Sequence, residues 1–165
     1  MHRQPNSKHC FLCGMENPIG LKLAFYETRE NRVLVRFVPQ ERHQGYPGVM
    51  HGGIACALLD ETIGRTLVSH DIWAMTVDLQ VRFHQPVPLC EPLTVVGEIE
   101  RLRSRMMNGR GEIRLADGSV AVSAQGRYIH LPEDKVDEFR DQLESWQAVP
   151  DESEEPPLSD AGLGI

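Results

Sequence analysis

Two features of the segment 51–64, "HGGIACALLDETIG", could do chemistry: a glycine pair at its start and a carboxylate inside an apolar run. The apolar residues predict a helix, in which Gly52 and Gly53 lie where the first turn leaves backbone N–H groups without helical partners. Those groups, together with the positive end of the helix dipole, can bind a carbonyl oxygen or an anion. A tight turn that needs glycine for backbone reasons is the alternative interpretation.

The carboxylate is Asp60, which a helical wheel places on a narrow face with Gly53, Cys56 and Gly64. Small side chains let a ligand or another backbone approach closely, so we expect Asp60 to point into a crevice. The alternative is an exposed carboxylate that pairs with Arg65.

Glu61 suits that exposed role better, because it lies four residues before Arg65 and can form a helical ion pair with it. Neighbouring residues on a helix point about 100 degrees apart. One acid can therefore be solvated while the other is buried.

The spacing between the glycines and the acid predicts the oligomer. Gly52 and Asp60 are separated by about 12 Å along a helix, so one carbonyl group cannot contact both on the same helix. Antiparallel helices in a two-fold dimer would bring the amino end of one helix to Asp60 of the other. The sequence therefore predicts a homodimer with two identical sites, and a homotetramer built from two such dimers is the alternative.

The elements that must hold this helix are mostly strands. The helix is expected over 51–69, and a second, amphipathic helix over 131–147. Strand-like runs separated by turn residues cover 21–28, 32–39, 74–87, 92–103, 105–116 and 119–130. An antiparallel sheet curled around an apolar helix covers that helix on most sides. The predicted class is thus α+β, a hotdog fold in which the sheet wraps a long central helix, with a short C-terminal helix added.

Composition limits the class of protein. The 165 residues, 41% hydrophobic and 25% charged, are typical of a globular domain. We expect an N-terminal arm at 1–18, one domain at 19–147 and an acidic, disordered tail at 148–165. The absence of a long apolar run or a signal-peptide core predicts a cytoplasmic protein without a membrane span. A net charge of −7 argues against binding to nucleic acid.

The four cysteines are expected to be thiols, because a cytosolic chain keeps cysteine reduced. They are Cys10, Cys13, Cys56 and Cys90. The pair in "CFLC", with His9 beside it, suggests half of a zinc site, but a structural site usually needs four ligands and no second pair exists. The sequence therefore predicts no metal site.

The segment "HGGIACALLDETIG" resembles the helix motif of the hotdog acyl-CoA thioesterases, particularly the PaaI-like group. Other segments resemble that group in the same order, so that the resemblance covers 10–129: "CFLCGMENPIGLKL", "HQGYPGVMHGG", "MTVDLQVRFHQPVPL" and "AQGRYI". The resemblance implies hydrolysis of an acyl-CoA thioester to a free acid and CoA at a dimer interface. It implies no metal and no organic cofactor.

By matching position, the resemblance also assigns roles. Asp60 would be the general base or the nucleophile, and Gly52 with Gly53 would bind the oxyanion through backbone N–H groups. His51 would shape the turn or donate a hydrogen bond, and Thr76 would orient the water or the carboxylate.

One position departs from the pattern. Some hotdog thioesterases place an asparagine donor before the glycines, where this chain has Gly45. Gln44 and His51 are the available substitutes for that donor.

Phosphate binding by CoA would favour arginine. Alternation in 74–87 predicts Arg82 and His84 on the same strand face as Thr76. Further basic candidates flank the next hairpin: Arg103, Arg105 and Arg110. Solvated surface arginines are the alternative interpretation.

Two other functions stay open at this point. One is a hotdog protein that binds acyl-CoA without cleaving it. The other is a hotdog hydroxyacyl dehydratase, in which His51 and Asp60 would converge on the substrate.

Overall fold

The computed structural model describes residues 1–142 of the chain. Its helices are α1 (Gly52–Gly64) and α2 (Glu133–Gln142), and short 3-10 turns cover Glu41–His43 and Arg65–His70. Its strands are β1 (His2–Arg3), β2 (Phe25–Glu27), β3 (Val33–Phe37), β4 (Ala74–Phe83), β5 (Leu93–Leu102), β6 (Met106–Arg114) and β7 (Val120–His130). The predicted tail at 148–165 and the end of the predicted second helix lie outside the described residues.

The strands form one antiparallel sheet of seven strands in the order β1-β2-β3-β5-β6-β7-β4. Helix α1 packs across one face of this sheet, mainly against β5, β6 and β7. This arrangement confirms the predicted α+β hotdog fold. Among the described residues, no helix has the length and apolar character that a membrane crossing requires.

Glycines in the central strands let α1 approach the sheet closely. A Cβ added to Gly97 on β5 would lie 2.6 Å from the carbonyl oxygen of Thr62, which is a backbone atom of α1. Similar additions at Gly109 and Gly111 on β6 would meet Ile63 side-chain atoms at 2.6 and 2.9 Å. The core therefore forms where the apolar face of α1 meets the glycine positions of the central strands. Leu58 and Ile63 on that face are fully buried.

Helix α1 is shorter than predicted. The expected helix over 51–69 is α-helical only to Gly64, and the chain then tightens into the 3-10 turn Arg65–His70. Such tightening is common at the carboxyl end of a helix. Asp71, with φ of 51°, ends the turn in the left-handed region, and its N–H bonds to carbonyl groups of that turn.

The first predicted strand is also wrong in length, because its first half pairs with the N-terminal arm. Only Phe25–Glu27 of 21–28 belongs to the sheet. The N–H groups of Leu21 and Leu23 instead donate to the carbonyl oxygens of Phe11 and Leu12. The left-handed φ of 54° at Lys22 bends the chain away from regular strand geometry.

The alternation predicted for 74–87 fails at a β-bulge. Thr76 pairs with Tyr128, but Asp78 pairs with Arg127, so Val77 is the extra residue on β4. A bulge shifts the parity of the following side chains. Thr76 therefore shares the helix-facing side of the sheet with Leu79, Val81 and Phe83.

The predicted face shared by Thr76, Arg82 and His84 is consequently wrong. Arg82 pairs with Ser123 on the face that points away from α1. His84 follows the end of β4, and its Nε2 lies 2.8 Å from Oγ of the same Ser123.

We predict that Gly97→Ala destabilises the fold. The added methyl group would overlap a backbone oxygen of α1, which cannot rotate away as a side chain can, and overpacking of this kind lowers the free energy of unfolding by about 1–3 kcal/mol. Urea denaturation followed by circular dichroism measures the change. Arg101→Ala, at an exposed position of the same strand, is the control and should shift that free energy by less than about 0.5 kcal/mol. Equal stabilities of the two variants would contradict the close packing.

Candidate active site

Asp60 lies on the flank of α1 that faces the end of the sheet, half-buried at the wall of a crevice of about 350 Å³. The wall combines polar groups near the acid with apolar groups farther along. The apolar part includes Val68, Ile72, Trp73 and Ala74. The predicted crevice beside Asp60 is therefore present within a single chain.

Two hydroxyl groups hold the carboxylate of Asp60. Thr76 Oγ1 donates to Asp60 Oδ1 at 2.8 Å, and the Tyr128 hydroxyl donates to the same oxygen at 3.1 Å. Within residues 1–142, no donor hydrogen-bonds Oδ2. One oxygen of the carboxylate is thus fixed by the protein, and the other can accept a hydrogen bond from a water molecule in the crevice.

Thr76 reaches Asp60 because of the bulge at Val77, which places the Thr76 side chain on the helix-facing side of β4. The sequence paired Thr76 with the acid by resemblance, and the structure brings the two together. Alternation alone would not predict this contact. Strict alternation puts Thr76 on the same face as Arg82, which points away from α1.

Tyr128 is a site residue that the sequence analysis missed. Its ring lies over Gly126 on β7, where an added Cβ would meet the ring at 2.5 Å, and its hydroxyl also donates to the Asp60 backbone oxygen at 3.1 Å. Burial and the negative charge of Asp60 raise the pKa of Tyr128 above its ordinary value, so the hydroxyl keeps its proton and remains a donor. The available signal was a tyrosine two residues after a glycine on the inward face of a strand.

At the other end of α1, His51 caps the helix. His51 Nδ1 accepts the N–H of Gly53 at 2.9 Å, whereas among the described residues no acceptor hydrogen-bonds the N–H of Gly52. Gly52 therefore offers the open donor of the pair. A neutral His51 ring that accepts through Nδ1 carries its proton on Nε2, so His51 can donate only from that atom.

In the loop before α1, polar groups form hydrogen bonds with the backbone of the same loop. Gln44 Oε1 accepts the N–H of Gly48 at 3.1 Å, and the N–H of Gly45 donates to Val49. The side chain of Gln44 is thus occupied in part by the loop that leads to His51.

The structure divides the predicted basic residues between two places. Arg82, His84 and Arg110 line a shallow depression of about 410 Å³ on the sheet face opposite α1. Arg110 is bonded there to Glu98 on the neighbouring strand. Arg103 and Arg105 are exposed in the turn between β5 and β6, at the other end of β6.

The ion pair predicted for Glu61 is present, but the prediction that it is exposed is wrong, because Arg65 is buried and Glu61 is partly buried. Its Oε1 accepts the Nε of Arg65 at 2.8 Å, in the expected pairing four residues along the helix. The guanidinium of Arg65 also lies over the Phe25 ring and donates to the carbonyl oxygen of Pro5. The two adjacent acids therefore have different partners, a buried arginine for Glu61 and two hydroxyl groups for Asp60, although both line the crevice.

Comparison with known proteins agrees with this fold. Residues 47–122 match the family model of the thioesterase superfamily. The acyl-coenzyme A thioesterase THEM4 of Bos taurus is 28% identical over 127 residues, which are 76% of this chain and 52% of the relative. The chain spans about half the length of the curated relatives it matches.

Solved structures share the architecture. A crystal structure of a thioesterase superfamily protein is 33% identical, has a TM-score of 0.70, and aligns over 73% of this chain and 63% of its own. A hypothetical thioesterase protein from Streptococcus pneumoniae, crystallised with coenzyme A, is 20% identical with a TM-score of 0.62 over 65% of this chain and 84% of its own. The second likeness concerns the fold alone. The chain is thus similar to the thioesterase superfamily over residues 47–122, and it shares the hotdog sheet around α1 with the 33% identical structure.

Proposed function

We propose that the chain is an acyl-CoA thioesterase that hydrolyses an acyl-CoA thioester to a free acid and CoA. The observation that carries this proposal is the Asp60 carboxylate at the wall of the crevice, with Oδ1 held by Thr76 and Tyr128 and, among the described residues, no donor bonded to Oδ2. The names of the curated relatives, which are acyl-coenzyme A thioesterases, favour the same reaction.

In this reaction Asp60 acts on the thioester carbonyl carbon. As a general base it takes a proton from water while the water oxygen attacks that carbon, and as a nucleophile it attacks the carbon directly. Negative charge develops on the carbonyl oxygen, where the Gly52 N–H and the helix dipole would stabilise it. The carbon–sulfur bond then breaks and the CoA sulfur leaves, taking up a proton to become the free thiol. On the nucleophilic route the acyl group is left as an anhydride of Asp60, which a water molecule hydrolyses to the free acid.

The site needs two chains, because Gly52 and Asp60 lie about 12 Å apart on one rigid helix. In a two-fold dimer with antiparallel α1 helices, Gly52 of one chain would face Asp60 of the other. The free edge of β4 supports this assembly. Among the described strands β4 pairs only with β7, and its exposed side chains include Met75, Val77 and Phe83. A long edge strand with exposed apolar residues is suited to pairing with another chain.

Coenzyme A would extend from the amino end of α1 around the free edge of β4 to the basic depression on the opposite face of the sheet. Phe83 packs against Gly52 on the helix-facing side, and Arg82, His84 and Arg110 line the depression on the other side. Guanidinium groups bind phosphate oxygens in a bidentate manner. Arg103 and Arg105 belong to the Asp60 end, so in the dimer they would approach the same site from the partner.

We predict that Asp60→Asn lowers kcat by at least about 100-fold, because an amide can neither accept the proton of water nor attack the thioester. Release of free CoA thiol from a panel of aliphatic and aromatic acyl-CoAs measures turnover. Asp78→Asn, a carboxylate on the outer face of the same sheet, is the control and should retain activity. Near-normal activity of Asp60→Asn would rule out this mechanism, and no CoA release by the unaltered protein would favour a binding protein.

Thr76 offers a sharper test of the hydroxyl that holds the acid. We predict that Thr76→Val lowers kcat about 10-fold, because the hydrogen bond to a charged acceptor is lost while the side-chain shape is kept. Thr76→Ser keeps the hydroxyl and should retain most of the activity. Equal rates for the Val and Ser variants would show that the contact with Asp60 does not matter for turnover.

Mixed dimers test whether the oxyanion donor Gly52 and the carboxylate Asp60 of one active site come from different chains. Gly52→Pro removes the N–H at the first helical position, where proline is tolerated, and the extended His51 (φ −61°, ψ 131°) suits a following proline. Gly52→Ala, which retains the N–H, is the steric control. Both Gly52→Pro and Asp60→Asn should be inactive alone.

A refolded equal mixture of Gly52→Pro and Asp60→Asn should recover about one quarter of the normal activity. Half of its dimers would be mixed, and each mixed dimer would hold one intact site of two. An inactive mixture that size-exclusion chromatography and mass spectrometry show to contain mixed dimers would place both groups in one chain.

A further inference from the structure

We propose that Cys10, Cys13 and Glu61 form a binding site for a thiophilic divalent cation, Zn²⁺ being the first candidate. The two Sγ atoms and a carboxylate oxygen of Glu61 all lie within 4.8 Å of one another. The sequence analysis predicted no metal site because it found only one cysteine pair. The third ligand comes from α1, 48 positions farther along the chain than Cys13, and only the fold brings it to the arm.

The separations suit a small tetrahedral ion. Thiolate sulfur binds zinc at about 2.3 Å, so two such ligands in a tetrahedron lie about 3.8 Å apart. The observed spacing of up to 4.8 Å needs to shorten by about 1 Å at most, which side-chain torsions can supply. A set of three protein ligands leaves the fourth position to water, and the half-buried Cys10 gives the ion a route from solvent.

The backbone of the arm is arranged to hold charged sulfur. The N–H of Leu12 donates to Cys10 Sγ at 3.3 Å, and the N–H of Ser7 donates to Cys13 Sγ at 3.4 Å. Hydrogen bonds from N–H groups favour the charged form of a sulfur ligand.

Gly14 makes the tight turn possible. A Cβ at this position would lie 2.3 Å from the carbonyl oxygen of Cys10, which accepts the N–H of Gly14 at 2.8 Å. Any other residue would therefore open the turn and separate the two sulfurs. The glycine that follows Cys13 is thus required for the geometry of the sulfur pair.

The charges of the cluster balance with a dication present. Two thiolates and the Glu61 carboxylate would supply three negative charges, and Zn²⁺ together with Arg65 would supply three positive charges. Without the ion, burial raises the pKa of Glu61, with Arg65 acting in the opposite direction. Arg65 bonds Glu61 Oε1 at 2.8 Å, so we assign Oε2 to the ion.

The site would fasten the N-terminal arm to α1 one residue from Asp60. The arm already buries Gln4, whose side-chain amide donates to the carbonyl oxygen of Arg65 at 3.1 Å, and Asn6, which donates to Cys13 and Leu23. A bound ion would add coordination bonds to these contacts. It would therefore act by stabilising the fold beside the crevice, not by contacting the substrate.

The test measures zinc bound by the full-length chain. Protein stripped with a chelator under a non-thiol reductant is given one to three equivalents of Zn²⁺, passed over a desalting column, and analysed for metal by mass spectrometry. We expect about one zinc ion per chain. A double variant, Cys10→Ser with Cys13→Ser, should retain none, whereas Cys56→Ser with Cys90→Ser, which removes the two cysteines outside the cluster, should bind as the unaltered protein does.

Cobalt and Glu61 test the ligand set itself. Co²⁺ bound by the unaltered protein should give a sulfur-to-metal charge-transfer absorption in the near ultraviolet, absent from the Cys10/Cys13 double variant. Glu61→Gln should weaken zinc affinity at least about 10-fold, as loss of a ligand does.

The proposal is overturned if the unaltered protein binds no more zinc than the Cys10/Cys13 variant. It is equally overturned if that variant keeps its zinc.

Discussion

The close contact between α1 and the glycine positions of the sheet is the constraint on which the rest of the structure depends. Because Gly97 carries no side chain, the Thr62 backbone of α1 can lie directly on β5. The same short distance brings the flank of α1 within hydrogen-bonding range of β4 and β7. Asp60 therefore meets Thr76 and Tyr128, whose hydroxyl groups would be out of reach if a layer of side chains separated helix and sheet.

Helical geometry then assigns the two adjacent acids to different tasks. A rotation of about 100 degrees per residue turns Glu61 away from the crevice contacts of Asp60 and toward Arg65 and the thiols of the arm. Arg65 compensates the charge of Glu61, and two neutral hydroxyl groups hold Asp60. Among the described residues, the carboxylate of Asp60 is thus held by neutral donors and forms no ion pair that would compete with a substrate for its free oxygen.

Much of this could be predicted from the sequence, because the strongest signals are local. The apolar run after "HGG" predicts a buried helix, the glycines mark its start, and the spacing of Glu61 and Arg65 predicts their ion pair. The bulge at Val77 is different, since nothing in the alternating residues of β4 shows that one of them is extra. It places Thr76 on the face of Leu79, Val81 and Phe83, and not on the face of Arg82.

The contacts between segments that are distant in the sequence could not be predicted either. Tyr128 and Asp60 are 68 positions apart, and their hydrogen bond depends on the pairing of β7 with β4 and on the height of α1 above the sheet. The same holds for Glu61 and the cysteine pair. Capping of α1 by His51 could be predicted in part. The residue type at the helix start suggested a structural role, but the occupation of the Gly53 N–H follows from a side-chain rotamer that the sequence does not specify.

In the proposed dimer, α1 acts as a rigid spacer between two half-sites. Its amino end presents the Gly52 N–H, its later turns present Asp60, and the hydrogen-bonded helix between them keeps their separation at about 12 Å. Two-fold symmetry makes every displacement of one helix along the other act on both sites by the same amount. Interactions that set the register of the β4 edges would therefore also set the distance from carboxylate to oxyanion donor. The bulge at Val77 would therefore affect both the carboxylate and the dimer contact. It turns Thr76 inward to Asp60, and it bends the strand whose free edge the partner would meet.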